Sequence, residues 1–190
     1  MKDKSIFFSA LLLLTSLLFS CQDSFTTNSP PPPVTVSDAD LLALTAAPGF
    51  AFYKNAPDTL PFTLNGGGHN NSFIRVRFNA KAQSVLTDGG KLPVGGRFPD
   101  SALIVKDIYT AKGGTLLATA IMLRLPAAAN ADANGWVWGE YNSASASNPP
   151  APASQKGSQC TACHSTTAAS SPVSGDTGNR DYVRTFGLRP

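Results

Sequence analysis

Charge is scarce in this chain of 190 residues, with 15 Lys and Arg against 12 Asp and Glu. No basic run occurs anywhere, and a nucleic-acid footprint needs clustered Lys and Arg, so no nucleic-acid partner is expected. A long apolar run is missing too. The stretch IFFSALLLLTSLLF (6–19) is uncharged for 14 residues, whereas a membrane-spanning helix needs about 20. Donor side chains are few: two His, three Cys, two Met and a single Glu. Any metal or catalytic site must draw on this short supply. The regular alternation of strands and helices that builds a parallel sheet is also absent.

What is present begins with a leader. Lys2 and Lys4 precede the apolar run, which has the length of an export signal. The leader closes on LLFSC, which resembles the lipobox of bacterial lipoproteins. That resemblance implies a lipidated Cys21 as the mature N-terminus. The alternative is ordinary cleavage, leaving a free thiol. Residues 21–36 then read as a tether with a stiff Pro30–Pro33 centre. One lipid chain binds weakly, so stable anchoring would need several. The expected organisation is a signal peptide at 1–20, the tether at 21–36 and one domain at 37–190. The expected location is outside the cytoplasm, lipid-anchored to a bacterial membrane, on the periplasmic side or at the cell surface.

The domain reads as mainly β, an α+β fold: an antiparallel sheet of about five to six strands with two or three short helices. SDADLL opens a helix, with Ser37 as N-cap and Asp40 three residues on. FAFYK (50–54) and TLPFTL (59–64) read as strands. SFIRVRF (72–78) alternates, Ile74, Val76 and Phe78 on one face and Arg75 and Arg77 on the other. NAKAQSVLTDGG (79–90) predicts a helix of about two turns, closed by Gly89 or Gly90. SALIVKDIY (101–109), nearly continuous and apolar, predicts a central strand. TLLATAIMLRL (115–125) follows a Gly-Gly turn, and GWVWGEY (135–141) follows a loop. DYVRTF (181–186) predicts a short extended piece.

CTACH (160–164) carries the chemistry. A redox dithiol would open a helix after a strand in a βαβ setting, which this chain lacks. A structural zinc needs four ligands, and Cys160, Cys163, His164 and His69 are all the mature chain offers once Cys21 is lipidated. Adjacent Cys163 and His164 would be hard to aim at one ion. C-x-x-C-H is also the attachment signature of c-type haem. Its two thiols reach the two vinyl groups of one porphyrin, and the next residue sends its imidazole to the iron. Cys160 and Cys163 would form thioethers and His164 would be the metal ligand, neutral imidazole being a good donor. Only 26 residues follow His164, and none is Met or His. Met122 reads as a core residue and His69 as a surface one, so the sixth iron position is expected to be open.

The order NAKAQSVL, FPDSALIVK, GWVWGEY, CTACH and DYV resembles the cytochrome P-460 family and its relative cytochrome c′-beta, over about residues 50–187. The resemblance implies one covalent haem c, five-coordinate iron and a homodimer. In one branch a lysine is cross-linked to the porphyrin and the protein oxidises hydroxylamine or binds nitric oxide. In the other the cross-link is absent and the site binds small gases. Lys106 matches by motif as the cross-linked lysine, with Lys91 as rival. Alternation puts Lys106 with Ile104 and Ile108, and a lysine at a strand edge reaching water is the plain alternative. The family's distal carboxylate would be Glu140 or Asp132. The functions that follow are small nitrogen chemistry at the iron, diatomic-gas binding, or electron transfer with a redox partner protein. A lipoprotein with a CxxC disulfide and no haem is the reading from another class.

Overall fold

The structure is a computed structural model that describes residues 32–53, 60–61, 73–87, 90–143, 145–164 and 181–183. The leader, Cys21, His69, Gly89 and residues 184–186 of DYVRTF lie outside the described residues. Among the described residues, six strands form one antiparallel sheet. They are β1 (Ala51–Phe52), β2 (Leu60–Pro61), β3 (Phe73–Phe78), β4 (Leu103–Tyr109), β5 (Leu116–Arg124) and β6 (Trp136–Asn142). The path runs β1-β3-β4-β5-β6, and β2 also pairs with β3. The helices are α1 (Asp38–Ala43), α2 (Ala80–Gln83) and α3 (Thr161–His164). The mainly β, α+β architecture expected from the sequence is the one found. No helix among the described residues is long and apolar enough to cross a membrane.

β4 lies in the middle of the path and is apolar almost throughout because both of its faces are covered. Alternation along antiparallel strands sends successive side chains to opposite faces, and residues directly opposite share a face. One face, here called the front, gathers Ile74, Val76, Phe78, Ile104, Met122, Trp136 and Trp138 with Tyr53, Leu92 and Phe98. The back gathers Leu103, Val105, Ile121, Leu123, Val137 and Tyr141 under Leu41 of α1. Burying either set removes apolar surface from water at about 25 cal/mol per Å².

Local chemistry starts and stops the helices. The Ser37 hydroxyl accepts the Asp40 N–H (3.1 Å) and donates to the Asp40 carboxylate (2.6 Å), the expected cap of α1. Asp38 Oδ1 then accepts the Tyr141 hydroxyl (3.0 Å) and the Ala153 N–H (2.7 Å), which ties α1 to β6 and to the segment approaching CTACH. Val36 is buried, and its backbone pairs with the Asn130 side chain in both directions.

α2 is one turn, not two. Asn79 caps it by accepting the Ala82 N–H at 2.9 Å, but it ends at Gln83. The chain then pairs Thr87 with Lys91, and the Gly90 N–H bonds to the Thr87 carbonyl at 3.0 Å. Gly90 thus closes a tight turn of its own rather than capping the helix. The described part of DYVRTF, Asp181–Val183, is a turn rather than an extended piece. Asp181 and Tyr182 have φ of 50° and 69°, the left-handed region that a strand cannot contain.

Candidate functional site

CTACH sits on a helical turn that starts before α3. The Gly157 carbonyl accepts the N–H of Cys160 (2.8 Å) and of Thr161 (2.9 Å), and the Cys160 carbonyl accepts those of Cys163 (3.2 Å) and His164 (3.1 Å). On such a turn, residues three and four apart share a side. Both thiols and the imidazole therefore emerge together. Cys160 is half-buried against the front cluster, whereas Cys163 is exposed; both are free thiols.

The segment is carried there along the edge of β6. The Glu140 N–H bonds to the Ala151 carbonyl at 2.9 Å, and a 3₁₀ turn follows at Ala153–Gln155. Gly157 then crosses the Trp138 ring with φ of 70°, and a Cβ at that position would enter the indole. Only glycine satisfies both conditions.

His164 is held by a partner far along the chain. Its Nδ1 lies 2.7 Å from the Tyr182 carbonyl. A carbonyl only accepts, so Nδ1 carries the proton and the lone pair of the neutral ring sits on Nε2. That arrangement suits a metal ligand, because the second nitrogen's bond fixes the tautomer and raises the basicity of the first. The Asp181–Val183 turn is itself pinned. Asp181, buried, accepts the Phe98 N–H (2.8 Å) and the Trp136 indole N–H (3.3 Å), and Val183 packs into the front cluster. The Asn134 amide donates to the Tyr182 hydroxyl at 2.6 Å.

The expected candidates divide by position. Val76, Lys106, Ala120 and Glu140 form one row across four strands. Lys106 is therefore mid-strand at the sheet's centre, not at an edge, and shares the front face with Glu140. Their backbones are two strand spacings apart, about 4.8 Å each. The charges that bear on Lys106 are those of Glu140, Cys160 and Cys163. Burial pushes the Lys106 ammonium down toward its neutral form, and Glu140 opposes that. Burial likewise pushes the Glu140 carboxyl up, against the pull of Lys106. Lys91 sits in the Thr87 bridge instead. Met122, 7% exposed, lies in the row Phe78–Ile104–Met122–Trp138 as core.

Asp132 has a different task from the distal one considered for it. Its oxygens accept the N–H groups of Asn134 (2.8 Å) and Trp136 (2.9 Å) and the Trp138 indole N–H (2.9 Å). The Trp138 ring in turn meets the His164 ring edge to face, with centroids 5.1 Å apart. Trp138, Gly157, Asp181 and Tyr182 are thus site residues that residue-type reasoning passed over. The GWVWGEY and DYV fragments contained three of them.

The donor set discriminates between the chemistries of CTACH. A reactive CxxC needs a lowered thiol pKa, yet burial, with help from Glu140, pushes the Cys160 thiol up to about 11. No three His, Cys, Asp or Glu converge to hold a metal ion among the described residues. Two thiols one helical turn apart, beside an imidazole of fixed tautomer and over an apolar sheet face, fit a covalently held haem. A search of curated proteins found no match. The cytochrome P460 family profile matches residues 59–185, two thirds of the chain, which includes every element of this site. The chain belongs to the cytochrome P460 family and is a haem c cytochrome of that family.

Proposed function

We propose that the protein is an exported mono-haem c protein that binds and oxidises a small nitrogen species such as hydroxylamine or nitric oxide. In this reading Cys160 and Cys163 hold the porphyrin through thioethers, His164 is the protein ligand to iron, and the sixth position is open. When bound, the haem supplies one-electron redox chemistry and a coordination site. The protein's own residues do the rest. Tyr182 keeps the His164 proton on Nδ1. Lys106, pushed toward its neutral form by burial, would be the residue that carries the family's cross-link to the porphyrin. Glu140, its carboxyl pushed up by burial, is the group placed to take or return a proton. The Trp136, Phe78 and Ile104 side chains keep water from the face.

The observation that carries this reading is the row Val76–Lys106–Ala120–Glu140 on the face where Cys160 packs. A lysine and a carboxyl with opposed shifts, both caused first by burial, mark a functional pair rather than a solvated one. The same reading includes a lipid on Cys21, a redox partner protein and a homodimer.

The test is the protein purified from a host with haem-ligation machinery. Mass spectrometry should find one haem added, and a lipid on Cys21. The ferrous Soret band should be red-shifted with a broad visible region, and Lys106→Arg should return it to an ordinary c-type spectrum. A band that survives in Lys106→Arg moves the cross-link to Lys91. An ordinary spectrum in the parent protein moves it to the gas-binding branch. His164→Ala should lose or alter the iron ligation. Colourless parent protein would leave the disulfide-bearing lipoprotein.

A further inference from the structure

Asp132 takes no part in the chemistry above, and its surroundings are unusually specific. We propose that Asp132 and Trp138 form a positioning pair that fixes the plane of the His164 ring; this rests on the reading of His164 as the ligand to iron. Trp138 is 3% exposed, so its indole N–H needs an acceptor inside the protein, and Asp132 Oδ2 provides it at 2.9 Å. The Gly157 backbone closes on the same indole, leaving no room even for a Cβ. The ring is therefore held at its N–H and pressed on one side.

His164 meets this immobile ring at 71° between planes. Its bond to the Tyr182 carbonyl fixes which nitrogen carries the proton, but a hydrogen bond made along the ring's axis does not oppose a pivot about that axis. Trp138 stops the pivot. Tyr182 joins the same group, its ring 6.4 Å from that of Trp138, so the carbonyl and the wall form one unit. Groups behind a ligand tune the metal by orienting that ligand. Asp132 acts on His164 through Trp138, without touching it.

The chemistry of Asp132 suggests a selective variant. Its Oδ1 serves the Asn134 and Trp136 N–H groups, and its Oδ2 serves the indole. In Asp132→Asn the amide oxygen can still serve both backbone groups and keep the turn. Its NH₂ then faces the indole N–H, donor against donor. Trp138→Phe removes the N–H and part of the wall while leaving Asp132 in place.

The measurement is the iron–histidine stretching frequency of the ferrous haem protein by resonance Raman spectroscopy, for the parent, Asp132→Asn, Trp138→Phe and the double variant. That frequency reports the orientation and bonding of the ligand, and a fold that is merely looser does not move it. Both single variants should shift it, and the double should shift it no further than the larger single, as for two residues acting through one path. Additive shifts, or an unchanged band in Asp132→Asn, would overturn the pair. If Asp132→Asn does not fold, Trp138→Phe decides alone, an unchanged band again overturning it. A parent protein without the band would overturn the ligand reading itself, whereas a parent band that the variants leave in place overturns only the pair.

Discussion

On its back face the sheet carries three charges that are closed into a network. Asp107, 3% exposed, receives Arg75 through Nε (3.0 Å) and Nη2 (2.8 Å) on one oxygen and Arg77 through Nη2 (3.1 Å) on the other. Arg77 also caps the Thr45 carbonyl at 3.0 Å and lies over the Phe50 ring. The front face carries charge of another kind. Lys106 and Glu140 stand two strands apart in an apolar row, and burial moves each toward its neutral form. The two sets meet on β4, where Lys106 and Asp107 are neighbours facing opposite ways, so strand propensity does not distinguish them. The difference lies in what covers each face. On the back, α1 and the 3₁₀ turn that follows it (Leu44–Ala46) supply a fixed cover. On the front, the cover is made of loop residues such as Tyr53, Leu92, Phe98 and Val183, and Cys160 of CTACH packs among them. The back charges share one carboxylate, whereas burial draws the front pair toward neutrality.

The largest effect should come from breaking the back. Asp107→Ala leaves two guanidiniums with their shared partner gone, and removing one member of a buried ion network costs about 3–5 kcal/mol. Urea or thermal unfolding should show that loss. If the two faces are independent in function, the haem spectrum of the protein that remains folded should match the parent. A changed spectrum with intact stability would contradict the division drawn here.

The next effect should come from the front. Gly157→Ala meets two obstacles, a φ of 70° and the indole of Trp138. A left-handed backbone costs a non-glycine residue about 1–2 kcal/mol, and the ring must also move. Stability should fall by a smaller amount than in Asp107→Ala, but the yield of covalently attached haem should fall sharply, because Gly157 accepts the first two N–H groups of the CTACH turn. Full haem attachment with the parent's stability would show that the close approach is incidental.

Much of this division is legible in the sequence. The alternation in SFIRVRF and the spacing of Ile104, Lys106 and Ile108 assign residues to faces without any structure. CTACH announces its turn, and SDAD announces its cap. What stays hidden depends on pairs far apart along the chain. Arg75 and Asp107 are 32 residues apart, and His164 and Tyr182 are 18 apart, so no local pattern joins them. DYV looks extended because Tyr and Val favour strands, yet the carbonyl that His164 needs is presented by two left-handed residues. Asp132 was considered with Glu140 because both are acids near the aromatic strand. Its real partners are three N–H groups within six residues, a turn geometry that residue type alone does not encode. The second turn expected of α2 failed for a related reason: a short pairing of Thr87 with Lys91 outcompeted it.

The smallest effect tests the front pair itself, and it is a slope rather than a midpoint. Burial raises the folded-state pKa of Glu140 above the ordinary carboxyl value of 4.5. The folded protein therefore binds more protons than the unfolded chain between the two values, so stability falls with rising pH in that window. Glu140 contributes fully below its unfolded value, and that contribution is lost as pH climbs through the raised folded value. Glu140→Gln removes the titration, so the stability of the variant relative to the parent should grow across this window and then level off. The charge on Lys106 holds the Glu140 shift down. Lys106→Met should therefore move the window to higher pH, seen in urea unfolding at a series of pH values or in the titration of the Glu140 carboxyl carbon by NMR. A window in the same place with and without the ammonium would mean that the two groups do not sense each other across the row, and the front face would then be only a second core.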